Sequence, residues 1–197
     1  MTVLEDRIEM ADADADIQRL DEWFERLERM PVPEGYRVEI VGGNVHMTPQ
    51  RDTHWVIIRR IVRALEDRFG MDVKVFSDVR IDFPGHENGF CPDVALLSES
   101  ATKDDEGHWR YQDVEFVAEV ISEGTAQNDY GPKKTAYATA EVPVYVIADP
   151  YKGMCYVYTQ PKEGDYLTRT KVGFGQDIDL TGTVVGLVLK TDGFPRD

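Results

Sequence analysis

Two carboxylates set in apolar, strand-forming runs constrain this chain more than any other feature. Asp93 follows Pro92 and heads Asp93-Val94-Ala95-Leu96-Leu97, and Glu119 interrupts Phe116-Val117-Ala118-Glu119-Val120-Ile121. Short apolar runs bounded by turn residues read as strands buried in a sheet. An ionised carboxylate inside such a strand is costly unless something pairs with it. Any fold for this chain must therefore bring partners to both positions. With Lys133 following, the set suggests a divalent cation held beside a phosphate. Hard cations such as Mg²⁺ prefer oxygen ligands and use one or two carboxylates plus water and substrate phosphate. Asp93 and Glu119 on neighbouring strands supply that pair, and the carbonyl of Val120 is a candidate third oxygen. A cationic Lys133 would orient the attacking water or stabilise charge on the phosphoryl group. A helix expected from about 129 to 140 places Lys133 in its first turn, where the helix N-terminus also favours an anion.

The remaining segments supply a scaffold. Ile17, Leu20, Trp23, Phe24 and Leu27 recur at helical spacing and predict an amphipathic helix over 16–30, ended by Pro31 and Pro33. Residues 1–15, polar and alternating Asp with Ala, are expected to fray. Gly42-Gly43 between 38–41 and 45–47 is a two-residue hairpin signal that sets Glu39 across from His46. Ile58, Ile61, Val62, Leu65 and Phe69 form one stripe of a helix over 55–69, capped by Asp52 or Thr53 and ended by Gly70. Strands are expected at 73–76 and 79–83, followed by a loop through 84–89, whereas 98–112 shows no period. Residues 144–148 read as a buried strand, and 154–159, 166–172 and 184–189 as peripheral ones. This order predicts a mixed α/β or α+β domain around a central sheet. Residues 1–30 read as an acidic arm and helix, and 31–197 as a single domain.

Charge bears on the partner. The net charge of -15 opposes a nucleic-acid ligand, because duplex binders gain affinity by neutralising phosphates with Lys and Arg. Distribution matters more than the total. Residues 51–68 are locally basic, and Arg59, Arg60 and Arg63 fall largely off the apolar stripe. His54, Arg59, Arg63 and Lys134 are therefore candidate substrate contacts, with DNA the suspected partner. No apolar run approaches the ~18 residues of a membrane span, and the acidic N-terminus lacks the apolar core of a secretory signal. Cys91 and Cys155 form neither a zinc pattern nor a disulfide framework, so a cytoplasmic location is expected. His46, His86 and His108 show no metal-ligand spacing.

An ordered series of motifs runs through the chain: Tyr36-Arg37-Val38-Glu39-Ile40-Val41-Gly42-Gly43, His54, Pro92-Asp93-Val94, Glu119-Val120-Ile121-Ser122, Asp129-x-x-x-Lys133-x-x-x-Tyr137-Ala138, and Val142-Pro143-x-Tyr145 through Asp149-Pro150. Over roughly residues 33 to 190 it resembles the Uma2 family, restriction-endonuclease-like proteins of the PD-(D/E)xK nuclease superfamily. The resemblance implies a restriction-endonuclease-like core: a central mixed sheet flanked by helices, here with extra peripheral strands. It implies a phosphodiesterase site using Mg²⁺ or Mn²⁺, with Asp93 and Glu119 as metal ligands. The usual lysine position, two residues after the second acid, is Ile121 here, and Lys133 matches the lysine that Uma2-like chains carry on the following helix. Lys134 is its fallback. Glu39 matches an additional acid, for a second metal or for orienting water.

Each residue also has a plainer reading. Asp93 can simply open a strand or accept turn hydrogen bonds, Glu119 can pair with an arginine across the sheet, Lys133 can be solvated, and Glu39 can pair with His46. Tyr137 and Tyr145 read as core aromatics, His54 as a surface or capping residue, and Arg59, Arg60 and Arg63 as a solvated helix face. For function, the alternatives to a DNA nuclease are a non-catalytic binding or assembly module on the same fold and a phosphodiesterase for small nucleotides. A homodimer is expected of a double-strand nuclease, which needs two sites.

Overall fold

The computed structural model describes residues 3–31, 35–49 and 51–197, with side chains at 15 and from 17 onward. Pro33, expected to help end the first helix, lies outside the described residues. Helix α1 (Val3–Glu28) is longer than its apolar stripe predicted, so the expected fraying is absent from residue 3 onward. The Asp-Ala alternation explains this, since alanine is the best helix former and sustains a helix without an apolar face. Strands β1 (Tyr36–Val41) and β2 (Asn44–Pro49) form the expected hairpin. Gly42 and Gly43 both take positive φ, 57° and 73°, as the tight turn demands, and Glu39 pairs with His46. Helix α2 (Asp52–Phe69) begins earlier than expected, with Arg51 rather than Asp52 or Thr53 at the cap position. The His54 ring accepts the Arg51 N–H at 3.4 Å and closes the first turn.

The middle of the chain departs from the periodicity in several places. β3 (Val75–Phe76) and β4 (Ile81–Phe83) are shorter than expected, because Asp78 between them takes a left-handed φ of 60° that no strand accommodates. The expected 84–89 loop contributes a strand, β5 (Asn88–Phe90). Asn88 braces it by accepting the Gly42 N–H at 2.9 Å and donating to the Pro84 carbonyl at 2.8 Å. β6 (Val94–Leu97), β7 (Trp109–Arg110), a 3₁₀ turn (Tyr111–Asp113) and β8 (Val114–Val120) follow. The single helix expected over 129–140 is two, α3 (Ala126–Tyr130) and α4 (Pro132–Thr139). They break at Gly131, since the residue before a proline is driven out of helical geometry. β9 (Val144–Asp149), β10 (Met154–Lys162) and β11 (Asp165–Gly173) come as expected. The last expected strand shrinks to β13 (Val188–Leu189), paired with β12 (Ile178–Asp179), because Gly186 at φ 59° interrupts the extended run.

Among the described residues there are, instead of one central sheet, two larger ones and a two-stranded ribbon. The first runs β2-β1-β5-β4-β7 and the second β11-β10-β9-β8-β6-β3. In the second only β8 and β9 are parallel, with α3 and α4 as the crossover that a parallel pair requires. Alternation of side chains gives this sheet two buried faces. Val94, Leu96, Phe116, Ala118, Val144 and Val146 pack against Ile57, Ile58, Ile61 and Leu65 of α2 and against the C-terminal tail. Ala95, Leu97, Val117, Ile121, Tyr145 and Ile147 face α4 and the first sheet's Val41, Ile81, Phe83 and Phe90. Helix α1 covers the outer side of the first sheet through Leu20 and Leu27 against Ile40. Asp93 and Glu119 share the alternation of the second face, so both carboxylates point between the sheets.

Candidate active site

Antiparallel pairing of β6 with β8 sets Val94 against Ala118 and brings Asp93 beside Glu119. Their hydrogen bonds cross: Asp93 Oδ2 accepts the Val120 N–H at 2.7 Å, and Glu119 Oε2 accepts the Asp93 N–H at 3.3 Å. From the first sheet, β1 inserts Arg37 and Glu39 at alternate positions. From the crossover come Asp129, Lys133 and Tyr137, spaced by four and aligned on one face despite the break at Gly131. Lys133 Nζ lies 2.7 Å from Glu119 Oε1, 3.0 Å from Glu39 Oε2 and 3.1 Å from Asp129 Oδ1. Arg37 Nη1 lies 2.6 Å from Asp93 Oδ1 and 3.6 Å from Glu119 Oε2, and donates to the Cys91 carbonyl at 3.1 Å. Tyr137 donates its hydroxyl to Glu119 Oε1 at 2.6 Å. Arg37, Glu39, Asp93, Glu119, Asp129 and Lys133 are all at most 5% exposed.

Four carboxylates therefore face two cations, a formal excess of two negative charges where water hardly reaches. Burial pushes the Glu119 carboxyl up to about 8, against the pull of Lys133 and Arg37. Burial likewise raises Asp129. Glu39 goes the other way: burial alone would raise it, but Lys133 and Arg37 together bring it below its ordinary value. Burial opposes the charge on Lys133 and Arg37, yet the surrounding carboxylates outweigh it and hold both well above their ordinary values. Lys133 is thus a fixed cation and not a proton donor near neutral pH. At the exposed end, Asp78 donates its backbone N–H to the Pro92 carbonyl at 3.0 Å. Its carboxyl is raised by burial and by repulsion from Asp93 and Glu39. Asp78 also lines, with Arg51, Trp55 and Ile58, an open hollow of about 610 Å³.

The family profile of Uma2, described as "Putative restriction endonuclease", matches residues 23–192. The chain belongs to the Uma2 family. The match takes in β1, β6, β8, α3 and α4, and so every element that supplies the cluster. Among solved structures, one similar to this Uma2 chain is a protein from Anabaena variabilis ATCC 29413 described as a putative nuclease belonging to DUF820. It has a TM-score of 0.67 and 15% identity, with 89% of this chain and 96% of that chain covered. At that identity the likeness establishes the fold: a mixed α/β architecture of central sheets flanked by helices. No curated protein matches the chain.

The carboxylates of this Uma2 chain are the donor type that a hard divalent cation takes. Arg37 and Lys133 nevertheless stand between the acids, and Arg37 Nε is buried without a hydrogen-bond partner. Among the described residues, the group that brings three ligating side chains within 4.8 Å of one another is instead Asp21, Asp82 and His108. That group is occupied by Arg80, which bonds Asp21 at 2.8 Å and Asp82 through two contacts of 2.7 Å. It is best described as a clamp that ties α1 to the first sheet, with Arg80 also 4.3 Å above the Phe24 ring.

The structure thus brings Asp93, Glu119, the Val120 backbone, Lys133 and Glu39 into one cluster. Glu39 neighbours His46 in the hairpin, but its carboxylate turns to Lys133. Lys134 points away and pairs with Asp165 at 2.7 Å. His54 is 3% exposed, its Nδ1 accepting the Arg51 N–H and its Nε2 2.9 Å from the Ile121 carbonyl, so it holds the end of α2 against β8. Arg59 and Arg63 are exposed on α2, across the second sheet from the carboxylates. The sequence carries no assigned role for Arg37 or Asp129, and Tyr137 is the buried core aromatic expected, to which the structure adds the hydroxyl bond to Glu119. The i, i+4, i+8 spacing of Asp129, Lys133 and Tyr137 was the available signal. Nothing local marked Arg37.

Proposed function

We propose that this protein is a metal-dependent nuclease that hydrolyses phosphodiester bonds in DNA through a PD-(D/E)xK-type site. Asp93 and Glu119 would hold Mg²⁺ or Mn²⁺, with the Val120 carbonyl as a further ligand. The observation that supports this best is the convergence of Asp93 and Glu119, with the Lys133 ammonium 2.7 Å from Glu119. A bound cation would supply an activated water and neutralise phosphate charge. Lys133, kept charged by three carboxylates, is the group to orient that water or meet negative charge developing on the phosphoryl oxygens. Glu39 and Asp129 fix the ammonium, and Tyr137 fixes one oxygen of Glu119. A homodimer, presenting two sites to two strands, belongs to the same proposal.

One observation favours a non-catalytic module instead: Arg37 and Lys133 between them already pair with all four acids. Titration calorimetry with Mn²⁺ on the wild type, Asp93→Ala and Glu119→Ala separates the two readings, with circular dichroism confirming that each variant folds. The nuclease reading expects one wild-type site lost in both variants, and nicking of plasmid DNA that Asp93→Ala lowers at least a hundredfold. No site-specific binding by the wild type would leave the module reading standing.

A further inference from the structure

The face of the second sheet that carries Glu119 runs beneath the crossover helices through buried Ile147 and Tyr145 and emerges as cations and tyrosines toward the edge strand. Register pairs Glu119 with Ile147, Ile147 with Tyr156 and Tyr156 with Lys171. The neighbouring row pairs Val117 with Tyr145, Tyr145 with Tyr158 and Tyr158 with Arg169. Residues paired directly across strands project to one face, so Arg169 and Lys171 lie on the carboxylate side. Three strand spacings of ~4.8 Å put Lys171 about 14 Å from Glu119 along the sheet.

The tyrosines hold the cations in place. Lys152 Nζ sits 4.7 Å from the Tyr130 ring centre and 6.0 Å from that of Tyr156, with Lys171 on Tyr156 at 5.6 Å and Lys134 on Tyr158 at 5.7 Å. Such contacts orient an ammonium without neutralising it. Tyr130 is itself fixed by its hydroxyl bond to Asp149 at 2.7 Å and follows Asp129 of the cluster. Lys152 pairs with Asp149 and Lys134 with Asp165, whereas Arg169 and Lys171 have no carboxylate partner among the described residues. Four cations against two acids make this stripe locally positive on a chain of net charge -15. Stapling of α3 and α4 to the sheet accounts for Lys134 and Lys152. It does not account for exposed Arg169 and Lys171 on the edge strand β11.

We propose that this stripe binds the phosphodiester backbone of the nucleic-acid strand whose scissile bond reaches the carboxylates. The inference rests on the nuclease reading for its ligand class. At ~3.4 Å of duplex axis per nucleotide, the distance from Glu119 to Lys171 spans about four nucleotides. It also resolves the charge problem, since contact is confined to one face of an acidic body. The face chosen is not that of Arg59 and Arg63, which lie on α2 behind the sheet.

Fluorescence anisotropy of a labelled 20-nucleotide DNA, as single strand and as duplex, tests this in EDTA so that cleavage cannot intervene. Arg169→Glu/Lys171→Glu is compared with wild type and with Arg59→Glu/Arg63→Glu, and Arg169→Gln/Lys171→Gln serves if charge reversal impairs folding. The stripe variant is expected to lose tenfold or more in affinity at low salt. Its log–log salt slope should fall by roughly 1.4 on the single strand or 1.8 on the duplex, and the α2 variant should stay within threefold of wild type. The arm with the larger loss identifies the strand form. Equal losses in the two variants, a loss confined to the α2 variant, or no salt-dependent wild-type binding would overturn the proposal. Stripe-dependent binding without Mn²⁺-dependent cleavage would uphold the phosphodiester-binding stripe while removing the nuclease reading and, with it, the scissile bond.

Discussion

Removing the charge of Lys133 while keeping its stem tests the electrostatic account of the cluster directly. Lys133→Met leaves Glu119, Glu39 and Asp129 without the ammonium that lies within 3.1 Å of each. Breaking a buried ion pair from one side costs about 3–5 kcal/mol, because the remaining charge is stranded in low dielectric. For a chain of this size that is a fall in Tm of roughly 6–20 °C. The loss should depend on pH. Glu119 is raised from its ordinary 4.5 to about 8, so its contribution to stability is fully present below about 4.5 and is lost as pH rises through about 8. Without Lys133 the folded-state value rises further, and protonation relieves the variant at low pH. Urea denaturation should therefore show a deficit that grows from pH 5 to pH 8, where Glu119 is about half ionised, and reaches its full size about a pH unit higher. A deficit below about 1 kcal/mol at pH 8 would mean that Lys133 is not the cation holding these acids. An equal deficit at both pH values would point to packing and refute the reasoning.

Arg37→Met should bind Mn²⁺ about tenfold tighter by calorimetry while melting lower without metal, because the guanidinium opposes a second cation beside Asp93. Unchanged affinity in the folded variant would show that Arg37 and the metal do not compete. Wild-type Mn²⁺ affinity should rise about tenfold from pH 6 to 7 and level off above about 8, as Glu119 gives up its proton; a flat profile would contradict a raised Glu119. Gly89→Ala places a Cβ 2.6 Å from Phe24 Cε2 and should cost about 1–3 kcal/mol. Hydrogen exchange should show the loosening in the second half of α1; exchange unchanged there would mean that the Phe24 contact does not hold α1.

Much of the architecture is written in local order. The glycine pair fixes the hairpin and its register, the stripe of α2 is periodic, and the apolar runs around Asp93 and Glu119 read as buried strands. Those same runs mark both carboxylates as anomalies, because the cost of burying a charge is a property of its immediate neighbours. Periodicity misses two local breaks: the expected helix over 129–140 runs through Pro132 and the expected strand over 184–189 through Gly186, and both are interrupted. How the charges are resolved is not local. Arg37 lies 56 residues from Asp93 and Glu39 lies 94 from Lys133, and β1 meets α4 only because the two sheets face one another. His54 shows the same limit: a phosphate contact and a buried cap are alike in sequence, and the choice depends on where the Ile121 carbonyl arrives. Periodicity reports which side of an element is buried. Which charges meet there, and so whether the acids face a metal, a guanidinium or an ammonium, depends on distances of a few ångströms between segments that only packing brings together.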